Sequence, residues 1–296
     1  CVELLQKGLN EVGEGWYQGQ VTVQQEHFAS ELAARRLEAL LASTPPPTRP
    51  ERILIACPPQ EEHTFSALLL TLFLRRRSWD VVYLGANVPI GRMDSAITNT
   101  KPRLVILPAQ QLHTAASLLE MAHFLKERQV PLAYGGLVFN MLPALRAQIP
   151  GYFLGERLDE APMVVEQILS SPGPMPPGEP ISEVYQHALT QFRERQGLID
   201  AYVWRSMDPA QEGRENYTTA NTHLALNIKA ALSLGDMDLL GVDIEWVEGL
   251  LGNHRLPSEL LYDYLDVYRQ AAKSHLDEHG APVIDWLEHV VETNSS

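Results

Sequence analysis

Cysteine is almost absent. Cys1 and Cys57 are the two in 296 residues, far apart in the chain, which excludes a disulfide framework and a cysteine-built zinc site. Positive charge is also scarce: 23 Lys and Arg stand against 37 Asp and Glu, a formal net charge of −14. Without a net basic face for phosphates, the chain is not expected to bind nucleic acid directly. Long apolar runs are missing as well; none approaches the ~20 residues that span a bilayer, and no secretory signal opens the sequence. A soluble, cytoplasmic protein with no membrane partner is predicted. The chain starts at Cys1, without Met and inside a helical pattern, which predicts further sequence upstream. What is present is an ordinary globular balance, 45% hydrophobic and 20% charged, at a length that suits two or three cores.

Two proline-rich stretches divide the chain. One is Thr44-Pro45-Pro46-Pro47-Thr48-Arg49-Pro50; the other is Ser171-Pro172-Gly173-Pro174-Met175-Pro176-Pro177-Gly178-Glu179-Pro180. Proline has no N–H to donate and restricts the residue before it, so both read as semi-rigid linkers between elements. Residues 1–43 predict a helical cap. A first helix carries Val2, Leu4, Leu5, Leu9 and Val12 and stops at Gly13 and Gly15; a second runs from Val21 through Phe28, Leu32, Leu37, Leu40 and Leu41. Two helices bury little, so the cap reads as part of a bundle completed by helices elsewhere. Residues 51–170 alternate short apolar runs (53–57, 81–84, 104–107, 132–134 and 152–154) with helical patterns at 66–76, 93–98, 115–128 and 141–148 and after the last run. That alternation predicts an α/β, Rossmann-like, doubly wound parallel sheet, with ligands at the carboxyl ends of its strands. Residues 181–296 predict an all-helical domain, with helices at 184–204, 217–234, 239–251, 258–276 and 282–291.

The loop after the first strand reads Cys57-Pro58-Pro59-Gln60-Glu61-Glu62-His63-Thr64-Phe65-Ser66. A neutral imidazole is a good metal ligand, and a carboxylate two residues away can accept the proton of its other nitrogen, fixing the tautomer. The alternative for His63 is a cap on the next helix. Further along stand Leu84-Gly85-Ala86-Asn87-Val88-Pro89, Pro108-Ala109-Gln110-Gln111 and Tyr134-Gly135-Gly136. Together these motifs resemble the base-off, His-on cobalamin-binding domains, over roughly residues 1–170. The departures are Glu61 as the acid, Ser66 in place of the closing Gly, no Gly before the acid, and no Ser or Thr in the third-strand loop. The resemblance implies His63 as lower cobalt ligand, Glu61 as its partner, and Ser66, Leu84, Gly85, Gly135 and Gly136 around the cofactor, the paired glycines making room for its nucleotide tail.

In the cap, Trp16 is followed by nine residues and then Glu26-His27. This spacing resembles the CarH-type cobalamin-dependent light sensors, where a helical bundle covers the upper face of the corrin. The resemblance implies that Trp16 packs on the upper ligand, that Glu26 hydrogen-bonds near it, and that His27 takes the vacated cobalt position after photolysis. Adenosylcobalamin is the expected cofactor. An all-helical domain behind such a sensor resembles the photocobilins, which implies a globin-like fold holding biliverdin or another bilin. No Cys lies in residues 181–296, so a bilin there is held without a thioether. Candidate contacts are Tyr202, Trp204, Arg205, Tyr217, His223 and Asn227, with Asn221 beside them on an otherwise apolar helix; Arg suits propionates, and acceptors suit pyrrole N–H groups.

The expected function is a cobalamin-binding photoreceptor, homo-oligomeric and passing its signal to an output domain or signalling partner. Two alternatives stay open: a corrinoid carrier of a methyltransferase system, and a sensor of cobalamin that uses no light. No residue arrangement for hydrolysis, phosphoryl transfer or redox catalysis is legible, so an enzyme is not expected.

Overall fold

The computed structural model describes residues 2–206, 214–253 and 259–294. Two compact units are present, Cys1–Pro180 and Ile181–Ser296.

The first unit opens with α1 (Val2–Tyr17) and α2 (Val23–Ala42). Contrary to expectation, α1 passes through Gly13 and Gly15. Gly15 carries a reason for its lack of a side chain: a Cβ there would stand 2.7 Å from Val21 Cγ2, so glycine lets the turn fold back onto α1. Thr22, not Val21, starts α2. Its hydroxyl accepts from Gln25 N (3.3 Å) while the Gln25 side chain accepts from Thr22 N (2.9 Å), a reciprocal cap.

Five parallel strands follow: β1 (Arg52–Ile55), β2 (Asp80–Tyr83), β3 (Leu104–Pro108), β4 (Leu132–Gly135) and β5 (Tyr152–Phe153), in the order β2-β1-β3-β4-β5. The intervening helices are α3 (Phe65–Arg76), α4 (Ile90–Thr100), α5 (Leu112–Glu127) and the short α6 (Leu137–Met141); α7 (Ala161–Ser170) follows β5. The helix expected over 141–148 is instead the end of α6 and a 3-10 turn, Pro143–Ala147, because Pro143 cannot continue the donor ladder. Between β1 and β3 the chain departs in opposite directions, which leaves a crevice at the carboxyl ends of those strands.

Helix α3 is apolar nearly all round because both its sides are covered. Ala67, Leu70 and Leu74 pack with Ile53 and Ile55 of the sheet and with Ala161 and Val165 of α7. Leu68, Leu69 and Leu72 meet Leu37 and Leu41 of α2. The second half of the cap helix α2 thus packs on the sheet domain through α3. The docking is confined to the second half of α2; Phe28, 71% exposed, and Leu32 lie outside it.

Neither proline-rich stretch is a free tether within this unit. Thr48 N and Arg49 N donate to Ser78 O, both at 3.1 Å. The Arg49 guanidinium lies 4.3 Å from the Trp79 ring centroid and bonds Glu166 at 3.3 Å. The second stretch is strapped down by Lys126 Nζ to Pro177 O (2.9 Å) and Glu179 N to Ala147 O (2.9 Å).

The second unit comprises α8 (Glu183–Ser206), α9 (Arg214–Leu234), α10 (Gly241–Asn253), α11 (Glu259–His275) and α12 (Ala281–Asn294). Helix α8 packs on α9 and α11, and α11 packs on α12. The helix expected from residue 239 begins instead at Gly241, behind a 3-10 turn, Met237–Leu240, that Asp236 caps. The start expected at residue 258 lies outside the described residues. No helix of the described residues is long and apolar enough to cross a membrane.

Leu37 is fully buried at the α2–α3 contact. Replacing it with Ala is expected to cost about 2–5 kcal/mol, read by urea denaturation of the full chain. A loss below about 1 kcal/mol would mean that α2 is not held there.

Candidate functional site

The chemistry gathers where β1 ends. Ala56 N donates to Ile106 O (3.1 Å) and Cys57 N to Gly85 O (3.0 Å), so the chain leaves the sheet still tied to both neighbours. The loop that follows is braced from the β2 side by Asn87. Its N–H donates to Glu61 O (3.0 Å), its Oδ1 accepts from Gln60 N (2.9 Å), and its Nδ2 donates to Glu62 (3.0 Å). Cys57 takes no part as a thiolate. Burial, and then the charges of Glu61 and Glu62, push its thiol up to about 12.

Glu61 is fully buried and its carboxylate is saturated. Oε1 accepts from His63 Nδ1 (2.7 Å) and His63 N (2.9 Å). Oε2 accepts from Gln110 N (2.7 Å) and Thr114 Oγ1 (2.7 Å). Burial works against ionisation, but the bonds from His63, Thr114 and Gln110 outweigh it, and the carboxyl lies below the usual range. An ionised Glu61 accepts only, so Nδ1 of His63 carries the proton and the lone pair sits on Nε2. Nε2 has no hydrogen-bond partner among the described residues, and the imidazole is 58% exposed. The bond to Glu61 raises the pKa of His63 against the opposing effect of burial, with smaller help from the charges of Glu61, Glu26 and Glu62. Thr64 stands at the N-cap position of α3 without a side-chain capping bond, and the His63 side chain does not cap the helix either.

His63 faces a cleft of about 530 Å³. From the sheet domain the cleft is lined by Ser66, Gln110, Gly135 and Gly136 at its mouth and by Ile55, Ile106, Ala67 and Leu70 deeper in; from the cap, by Leu9, Glu26 and Ser30. Glu26 Oε1 accepts from Ser30 Oγ (2.6 Å) one turn further along α2. A free imidazole nitrogen beside a deep apolar crevice suits a large metal-bearing ring with an apolar appendage. His63 would hold the metal, and the glycines would leave room for the appendage.

The expected site residues separate. Ser66, Gly135, Gly136, Glu26 and His63 meet at this cleft, with Glu61 behind His63. Leu84 and Gly85 do not line it; Leu84 N bonds Ile55 O (2.9 Å) and Gly85 turns with φ +87°, so both hold the β1 loop. The glycine pair divides its roles. At Gly136, φ +120°, a Cβ would lie 1.9 Å from Ala109 O, so the backbone approach demands glycine; at Gly135 the nearest atom would be Leu154 Cβ at 3.9 Å, so there the missing side chain leaves cleft space. Trp16 is partly buried and does not line the cleft. Nor does His27, which is 73% exposed with Nδ1 3.8 Å from Glu26 Oε2. Sequence reasoning missed Thr114, Asn87 and Gln110. The hydroxyl looked for in the β3 loop stands instead one turn into α5, and the signal was the Gln111–Thr114 pairing that caps that helix.

In the helical unit the expected residues do not converge. Trp204 and Arg205 lie exposed near the end of α8, Arg205 Nε folded back to Ala201 O (3.1 Å). The Tyr202 ring lies 6.0 Å from that of His275. His223 is exposed and stands 3.4 Å from Asn227 Nδ2. The side chain of Tyr217 lies outside the described residues. Asn221 and Asn227 are buried, as is Tyr264, whose hydroxyl donates to Asn221 Oδ1 (2.7 Å). Six buried side-chain atoms of this unit have no hydrogen-bond partner among the described residues: Gln191 Oε1, Asp200 Oδ1, Asn227 Oδ1, Asp243 Oδ2, Tyr268 OH and His275 Nε2. Burial raises both the Asp200 and the Asp243 carboxyl. Such orphan groups cost about 1–3 kcal/mol each unless something else satisfies them.

Two outcomes test this geometry. Glu61→Gln turns an acceptor into an amide, so the His63 pKa is expected to fall, as followed by NMR of the imidazole. Because the folded-state pKa of Glu61 is depressed, its stabilisation is present above the unfolded value and lost as pH falls through the folded one. The variant should therefore be less stable near neutrality by roughly 2 kcal/mol and lose that acid dependence. An unchanged His63 titration would break the pairing. Gly136→Ala should cost at least ~3 kcal/mol, since strain at positive φ adds to a collision with backbone; a smaller loss in urea denaturation would contradict the close approach.

Residues 51–163 match the model of a B12 binding domain, and residues 1–41 match a second model, also described as a B12 binding domain. Among curated relatives, the HTH-type transcriptional repressor CarH of Myxococcus xanthus is 33% identical over 137 residues, 45% of this chain and 46% of that protein. The repressor CarA of the same organism is 34% identical over 103 residues, 34% of this chain and 36% of that protein. The chain thus spans less than half the length of either relative. Among solved structures, the Methanosarcina barkeri monomethylamine corrinoid protein is 17% identical, with a TM-score of 0.44 over 55% of this chain and 80% of that one. On the two model matches and the shared identity, the chain is a B12-binding-domain protein distantly related to CarH and CarA.

Proposed function

We propose that this chain is a cobalamin-dependent light sensor in which His63 holds cobalt from below and α1–α2 forms a movable cover. One observation carries the reading: the imidazole is oriented by a buried, four-fold bonded carboxylate at Nδ1, and His63 lines a cleft that the cap also lines. When bound, an alkylcobalamin supplies a cobalt–carbon bond that visible light cleaves. The chain supplies orientation below and a cover above. Glu26 and Ser30 overlook the cleft, while His27, one residue on, points about 100° around the helix. A turn or shift of α2 is therefore needed to carry His27 over His63. The half-docked α2, packed on α3 through its second half with Leu37 and Leu41 most buried, suits such a movement. The signal passes to an output domain or partner, with the protein acting as a homo-oligomer.

For the helical unit we propose a globin-like, non-covalent bilin site. The support is the set of buried polar atoms without partners, since Asp200, Asn227 and Asp243 offer acceptors for pyrrole N–H groups. A second reading has its own observation in favour. Trp16 and His27 lie away from the cleft, as a corrinoid carrier with an accessible upper face would require.

Absorption spectra decide between them. Protein loaded with adenosylcobalamin is expected to change its spectrum on illumination, and to show an added long-wavelength band if biliverdin is supplied. His63→Ala should retain cobalamin poorly and give the spectrum of the cofactor in water. His27→Ala should bind in the dark like the parent but form a less stable photoproduct. A spectrum indifferent to light would sink the sensor and leave the carrier.

A further inference from the structure

Gln110 follows β3, and so stands between the loops that leave β1 and β4. Its main chain is pinned, because its N–H is one of the four donors on Glu61 (2.7 Å). Its side-chain amide reaches both ways. Nε2 donates to Ser66 Oγ at the start of α3 (2.9 Å), and Oε1 accepts from Leu137 N just after Gly136 (3.1 Å). All three residues line the mouth of the cleft. Behind them the cleft runs down between the sheet and α3 over Ile55, Ile106, Ala67, Leu70 and Leu154, past the bare edge of Gly135. The mouth is polar and bridged; the interior is apolar.

Resting on the reading of His63 as the lower ligand, we infer that Gln110 is a latch that controls entry of the nucleotide tail of cobalamin into this slot. The chemistry follows from the parts of the ligand. The corrin is ringed by amides and stays at the wet mouth, beside His63. With His63 on the metal, the benzimidazole base is displaced and becomes a flat apolar group in need of a dry place. The slot is lined for such a group. The bridging amide lies in its path, so the tail enters only when the Gln110 side chain swings away. That movement frees the Ser66 hydroxyl and the Leu137 N–H, two hydrogen-bonding groups at the level of the polar ribose and phosphate that join base to corrin. Gln110 is thus a positioning and selectivity residue that acts on tail-bearing cobamides alone.

The test compares two probes by stopped-flow absorption on the full chain: aquocobalamin, which carries the tail, and cobinamide, which lacks it. Gln110→Ala keeps the main-chain bond to Glu61 and removes the bridge. The variant should bind aquocobalamin at least about tenfold faster, the rate equivalent of losing two weak net hydrogen bonds, and cobinamide at the parental rate. Equal acceleration of both probes, or of neither, overturns the latch. Hydrogen exchange without ligand gives an independent reading, since the Leu137 amide should exchange faster in the variant; an unchanged rate means the bridge is not made in solution. His63→Ala should weaken both probes alike. If the parent binds neither probe, or if His63→Ala binds both as well as the parent, the lower-ligand reading fails first, which is a different result from a failed latch.

Discussion

A single carboxylate organises the site. Glu61 lies out of water with four donors on two oxygens, and two of those donors come from the β3 side of the sheet. An ionised carboxylate in the interior is stable only when its lone pairs are so satisfied. Remove the donors, and either the charge or the loop geometry must give way. The imidazole of His63 inherits its tautomer and direction from this arrangement. The β1 loop, the β3 loop and the first turn of α5 therefore form one unit of structure around one charge.

Topology makes that arrangement possible. Because β1 and β3 are neighbours whose connections leave in opposite directions, their loops diverge at the carboxyl edge and leave a crevice. The same edge receives Gly136, whose backbone comes so near Ala109 that any side chain would strike a carbonyl. The third participant is α3, apolar on both sides, which carries the cap on its outer face and walls the slot with its inner one. Helix α2 thus meets the cleft both directly, at Glu26 and Ser30, and through its packing on α3.

The helical unit follows a different logic. Its core contains Asn221, Asn227 and Tyr264, together with Tyr268, whose hydroxyl burial pushes well above its ordinary range. A core built for stability alone would place apolar groups of similar volume there. Of these residues Asn221 and Tyr264 bond each other, while Asn227 Oδ1 and Tyr268 OH have no hydrogen-bond partner among the described residues.

Much of this was legible in the sequence. Apolar runs alternating with helical patterns were enough for a parallel sheet, since strands buried on both faces need no polar alternation. The Glu61-x-His63 spacing, at a strand's end, already implied a carboxylate behind an imidazole. Local sequence could also place the glycines at turns. It could not say that Gly136 answers to Ala109 while Gly135 answers to empty space, because those neighbours lie about 27 residues apart in the chain and meet only through strand pairing. Nor could it find Thr114 as Glu61's partner, since a hydroxyl one turn into a helix reads locally as a cap. Periodicity showed which helices are amphipathic; the order of the strands decided which of their faces, and which loops, would meet.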